Sequence, residues 1–176
     1  MKTYIYFVRG QGGSATSGGV DQMAAEVAKW NDVHVKTFDW SSWQEIVTDV
    51  NAHASEAAVR LACGYSLGAN AMTWVLGGVS SQGKHALGIQ HCHFDFVAFV
   101  DPTSLSIITP LSQNTLKQGI HFKSHSLDFV GHGVIPLAGF IPSKLLIVDT
   151  YAPHLMLDWD PAIQKQILDA FKTAMK

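Results

Sequence analysis

Residues 59–76 hold the part of the chain whose residue types most directly imply chemistry. An apolar run, Val59 to Cys63, leads into Gly64-Tyr65-Ser66-Leu67-Gly68, and a helical pattern follows from Ala69. A strand that turns sharply into a helix at Gly-x-Ser-x-Gly presents the serine as a nucleophile. The serine backbone is strained there, and strand and helix close on each other. Gly64 and Gly68, lacking a Cβ, leave that room. Ser66 Oγ then stands at the carboxyl edge of a sheet, with the N-terminus of the next helix ready to stabilise negative charge. The plainer alternative is a glycine-rich strand-to-helix turn with an idle serine. The strand-like and helix-like flanks favour the nucleophile.

A serine hydroxyl attacks poorly unless a base takes its proton and a carboxylate orients that base. The expected chain order is serine, acid, histidine. Of the nine histidines only His154 follows the last apolar run, by four residues, which makes it the candidate base. Two aspartates compete as the acid. Asp101 ends the run 94–100, and Asp128 follows the run 119–124. Each also has a structural reading, as a cap before a proline turn and as a solvated loop charge respectively; Asp101 is narrowly preferred. Asp149 and Asp158 lie too close to His154 in sequence. Gly10-Gln11-Gly12-Gly13, directly after the first strand, suits an oxyanion loop, with the N–H of Gln11 or Gly12 acting beside that of Leu67. A dinucleotide site is the competing reading, but the G-x-G-x-x-G register fails at Ala15. His91-Cys92-His93 has the look of a metal ligand pair that nothing else in the sequence completes, so neither metal nor cofactor is expected.

The elements that must carry these groups follow from periodicity. Apolar runs at 3–8, 59–65, 94–100 and 145–150 read as strands, the alternating 33–38 as an outer strand, and 119–124 as a weaker one. Helical spacing marks 20–30, 69–76 and 161–175, the last opened by Asp160 as cap and Pro161 in the first turn. Ser42-x-x-Glu45 reads as a capping box opening a helix to about Ala54. A short helix is expected within 104–118, a loop over 80–91, and irregular chain over 134–142, which contains two prolines. Strands alternating with helices imply an α/β fold: a three-layer, doubly wound parallel sheet of about six strands in the order 2-1-3-4-5-6. The site belongs at the carboxyl ends near the switch point. No repeat, linker or cap domain interrupts residues 1–176, so one domain is expected.

The chain has 176 residues, 47% of them hydrophobic and 15% charged, with a net charge of -2. This balance suits a compact enzyme and argues against a nucleic-acid partner, which calls for a basic patch. No apolar run approaches the ~18 residues of a membrane span. The opening residues lack a signal-peptide layout, so a cytoplasmic location is expected. Cys63 and Cys92 make no disulfide framework.

As a set, Gly10-Gln11-Gly12-Gly13, Gly64-Tyr65-Ser66-Leu67-Gly68, Asp101-Pro102 and Pro153-His154-Leu155 resemble the α/β-hydrolase superfamily in a small form. The nearest likeness is to the small serine esterase and lipase-like proteins of bacteria and their phages. Asp101-Pro102-Thr103 is similar to the Leu-Asp-Pro-Ala of pancreatic-type lipases, whose acid holds that earlier position. The resemblance implies hydrolysis of a small ester substrate through an acyl-enzyme, without metal or cofactor; thioesters and amides stay open. Trp40, Trp43, Phe129 and Ile135, with Val134, Leu137, Phe140 and Ile141, suggest a pocket for a short to medium acyl group; for Trp40 and Trp43, at the end of the outer strand on the site's side, packing is the favoured single role and a pocket wall the alternative. The chain departs from larger members in lacking two leading strands and a cap, leaving Phe129–Pro142 as the only cover. Two other readings compete: a non-catalytic binding protein on the same fold, and a flavodoxin-like nucleotide binder using Gly10–Gly19.

Overall fold

The computed structural model describes residues 1–77, 89, 92–111, 114–126, 132–136 and 141–176. Six parallel strands form one sheet: β1 (Lys2–Arg9), β2 (Val33–Asp39), β3 (Ala58–Tyr65), β4 (Phe94–Val100), β5 (Leu116–Ser124) and β6 (Leu145–Thr150). Their order is β2-β1-β3-β4-β5-β6, as the alternation of strands and helices predicts. The switch point falls between β1 and β3, where successive connections leave in opposite directions.

Period-2 alternation sorts the strand residues into two cores. Tyr4, Tyr6 and Val8 of β1 face one side, where α2 (Trp43–Ala52) and α3 (Leu67–Gly77) pack. Ile5 and Phe7 face the other, against α1 (Gly18–Val27) and α4 (Pro161–Ala174). The helices differ as their positions demand. α4 buries only Ile163, Ile167 and Phe171, spaced at i, i+4 and i+8. α3 is buried on every side from Gly68 to Leu76, as a helix apolar all round must be. Asp160 accepts from the N–H groups of Ala162 and Ile163, so the predicted cap of α4 forms.

Three local expectations differ from the structure. Ser42 makes no side-chain cap bond, because a 3-10 turn over Trp40–Ser42 leads into α2 instead. No helix occurs among the described residues between β4 and β5. The 103–109 backbone bonds to side chains of α3, and β5 starts at Leu116, three residues before the weak run that predicted it. α1 spans Gly18–Val27, starting and stopping before the predicted 20–30. No helix is long and apolar enough to cross a membrane among the described residues.

Candidate active site

The register of the strands carries the ends of β1, β3, β4, β5 and β6 to one rim. Val8 pairs with Gly64, Tyr65 with Val100, Val100 with Phe122, and Ser124 with Thr150. The residues just past these strand ends therefore converge. Two of them extend the ladder by one bond: Ser66 N–H donates to Val100 O (2.9 Å), and Asp101 N–H donates to Phe122 O (2.8 Å). Both then turn into the left-handed region, with φ of 55° at Ser66 and 42° at Asp101. His132, nearby, has φ of 63°. Such backbone costs of order 1–3 kcal/mol per non-glycine residue and persists only where its surroundings enforce it.

Glycines enforce it at Ser66. A Cβ on Gly68 would lie 2.2 Å from Val8 O, and one on Gly64 would lie 2.5 Å from Gly68 O. Strand and helix thus touch through backbone atoms at both positions. Gly10 approaches the serine itself, since a Cβ there would lie 2.9 Å from Ser66 Cβ. The loop carrying Gly10 is compact: Gly10 N–H donates to Ser17 Oγ, and Gly12 takes a left-handed turn at φ 89°. Arg9 anchors its base by pairing with Asp21 and Asp39.

The three polar side chains form one hydrogen-bonded chain. His154 Nε2 lies 2.9 Å from Ser66 Oγ, and His154 Nδ1 lies 2.7 Å from Asp101 Oδ2. Asp101 is wholly buried and His154 nearly so. The other carboxylate oxygen, Oδ1, accepts from Ser124 N–H (3.1 Å) and His132 N–H (3.3 Å). The imidazole stacks on the Tyr65 ring at 5.2 Å and 26°, while the Tyr65 hydroxyl donates to His154 O. His154 opens a 3-10 segment, His154–Trp159, locked down by Asp158. Asp158 Oδ2 accepts from Gly19 and Val20 at the N-terminus of α1, and burial pushes its carboxyl above the ordinary range. An imidazole so held can take the serine proton through Nε2 while Nδ1–H stays bonded to the carboxylate.

The cleft over Ser66 has a volume of about 300 Å³ and is lined by Gln11, Trp40, Leu67, Thr103, Leu105 and Ser106. The N–H groups of Gln11 and Leu67 have no acceptor among the described residues. Leu67 is the first residue of α3, where N–H groups have no intrahelical partner. Gly12 does not line the cleft; its left-handed backbone turns the loop that presents Gln11. A larger groove of about 650 Å³ lies between β2 and α2, but none of these side chains borders it, so size alone does not mark the site.

The sequence-predicted residues divide accordingly. Ser66, His154 and Asp101 come together, Leu67 and Gln11 border the cleft, and Trp40 forms part of its wall. Trp43 and Ile135 do not reach it. Trp43 begins α2 facing inward, with its indole edge-on to Trp74 at 6.3 Å. Ile135 turns into the same core because Gly133 N–H bonds Pro102 O and Leu111 N–H bonds Pro136 O on either side of it. Asp128, Phe129, Leu137, Phe140 and His91 lie outside the described residues. Among the described residues no three His, Cys, Asp or Glu side chains are grouped to hold a metal. Sequence reasoning missed Tyr65, Ser124, His132 and Asp158 as supports. Only Tyr65, inside the elbow motif, carried a signal that could have marked it.

No protein-family model matches the sequence, and no curated protein matches it. Solved structures do match over nearly the whole chain. An acetyl xylan esterase aligns with a TM-score of 0.54 at 15% identity, covering 99% of this chain and 98% of its own. A cutinase-like protein from Cryptococcus sp. aligns with a TM-score of 0.51 at 17% identity, covering 99% and 95%. A butyrate-bound esterase from Thermogutta terrifontis aligns with a TM-score of 0.54 at 12% identity, covering 98% and 82%. At these identities the likeness establishes the fold alone: a six-stranded parallel sheet between two layers of helices, shared with these structures over nearly the whole chain.

Proposed function

From this fold and from the hydrogen-bonded run Ser66–His154–Asp101, we propose that the protein is a serine hydrolase cleaving carboxylic esters. The observation that carries the reading is His154, buried between Ser66 Oγ at 2.9 Å and Asp101 Oδ2 at 2.7 Å. Ser66 attacks the ester carbonyl while His154 Nε2 takes its proton. The imidazolium then returns that proton to the departing alkoxide, leaving an acyl-serine. Water, deprotonated by the same nitrogen, releases the acid. Asp101 keeps Nδ1 protonated and offsets the imidazolium charge. The N–H groups of Leu67 and Gln11 receive the developing oxyanion, aided by the positive end of α3.

The cleft volume lies at the low end for ligand sites, which favours a short acyl group. Two of the matched structures are esterases, one with butyrate bound, which supports an ester over a thioester or amide. Hydrolysis of p-nitrophenyl butyrate by the wild type and by Ser66→Ala tests the reading. The alanine variant is expected to lose at least about three orders of magnitude in kcat. Equal rates for the two proteins would sink it.

A further inference from the structure

The helix that follows the nucleophile does more than support Ser66. Asn70, Thr73, Trp74 and Gly77 fall at helical spacing on one face of α3, and all four meet the segment that follows Asp101. The Asn70 amide nitrogen donates to Thr103 O (3.0 Å), Ser106 O (3.3 Å) and Ile107 O (3.3 Å). Its oxygen accepts from Thr103 N–H at 2.9 Å. Thr73 Oγ1 accepts from Thr109 N–H, and Trp74 Nε1–H donates to Ile107 O. Gly77 lets the loop close in, since a Cβ there would lie 2.1 Å from Thr109 Cγ2. Asn70 is fully buried.

Residues 103–107 have neither helix nor long strand to occupy their backbone groups, so those groups need partners elsewhere. One side chain supplies most of them. The same stretch contributes Thr103, Leu105 and Ser106 to the cleft over Ser66. Asp101 is held separately, by its own N–H to Phe122 O and by Ser124 and His132. The side chains of α3 that brace the cleft wall are therefore not those that hold Asp101, although wall and proton-transfer chain meet at the bridge between Thr103 and His132.

We propose that Asn70 is a positioning residue that fixes the 103–107 wall of the cleft and so determines which acyl lengths the site accepts. This rests on the serine-hydrolase reading. Loosening the wall removes its contacts with the acyl chain, while Asp101 keeps its bonds to Phe122 O and Ser124 N–H, neither of which involves α3. Selectivity changes and proton transfer does not.

The experiment measures kcat and KM for p-nitrophenyl acetate, butyrate and hexanoate with wild type, Asn70→Ala, Thr73→Val, Leu105→Ala and the Asn70→Ala/Leu105→Ala pair. In Asn70→Ala the spread of kcat/KM across the three esters is expected to flatten by about tenfold, the lower end of what one methylene is worth in a pocket. KM is expected to carry most of that change, and the pH–rate profile to keep its midpoint. Leu105→Ala is expected to add little in the Asn70→Ala background, because both act through one wall. Should Asn70→Ala not fold, Thr73→Val is expected to flatten the spread in the same direction by a smaller factor. A folded variant that slows all three esters by one common factor, or a Leu105→Ala effect that adds in full, overturns the assignment. Fluorophosphonate labelling of wild-type Ser66 separates the two levels. No labelling refutes the hydrolase reading itself, whereas labelling with an unflattened spread refutes only the role of Asn70.

Discussion

Replacing Asp101 by asparagine changes one atom type in a buried site, and the hydrogen bonds around it dictate the outcome. Ser124 N–H and His132 N–H both point at Oδ1. An asparagine that keeps these bonds must put its amide oxygen there, which places its NH₂ where Oδ2 now lies 2.7 Å from His154 Nδ1. Nδ1 then becomes an acceptor, the imidazole proton moves to Nε2, and Nε2 can no longer take the proton of Ser66. The flipped amide would restore the productive tautomer but leave two buried N–H groups facing a donor. At roughly 2 kcal/mol for each unsatisfied group, that costs about 4 kcal/mol. The competent population is then about one in a thousand at 1.36 kcal/mol per decade. Losing the carboxylate that stabilises the imidazolium lowers the rate further, so kcat is expected to fall by about 10⁴-fold. Hydrolysis of p-nitrophenyl butyrate reads the rate, and a thermal melt verifies that the variant is folded, since both backbone donors keep an acceptor. The same change at Asp128 is expected to leave kcat within about twofold. A folded Asp101→Asn enzyme retaining more than about a tenth of wild-type activity would show that Asp101 does not set the tautomer of His154.

Gly10→Ala introduces a Cβ 2.9 Å from Ser66 Cβ and 3.1 Å from Tyr65 O. The serine must yield by about half an ångström, so fluorophosphonate labelling is expected to slow by about tenfold; a wild-type labelling rate would show that Gly10 does not set the position of Ser66. His121, on β5 between Phe99 and Ile147, is buried with Nε2 unpartnered, and burial lowers its pKa from 6.5 to about 4 despite the opposing pull of Asp101 and Asp149. The unfolded chain therefore binds a proton below about pH 6.5 that the folded one refuses until about pH 4. Stability is complete above the first value and falls as pH drops toward the second, by about 2 kcal/mol between pH 7 and pH 5. Denaturant unfolding at those two pH values is expected to show this loss in wild type and its absence in His121→Leu; an equal loss in both would remove His121 as the cause.

Much of this architecture is legible in the order of residues alone. Apolar runs and their alternation give six strands in the observed sheet order, because periodicity decides which side of each element faces the core and right-handed crossovers leave few arrangements. The Gly64-to-Gly68 motif marks Ser66 through a steric need that is local: backbone atoms of adjacent turns touch, and only glycine permits it. The late position of His154 follows from the same winding. Other features depend on atoms far apart in the chain. Asp101 lies against His154 through a left-handed turn, a bond to Phe122 O and two donors from Ser124 and His132, none of which leaves a mark near residue 101. Trp40 and Trp43 are three residues apart and of one type, yet one borders the cleft and the other packs on Trp74. The 3-10 turn between them decides that. Asn70 sits in an apolar helix where periodicity offers no task for an amide; its partners are loop carbonyls more than 30 residues away. Residue types and their spacing determine what faces inward, since that depends on near neighbours. Which polar groups meet at the rim is decided by strand register and by turns past the strand ends, and these exist only once the sheet is assembled.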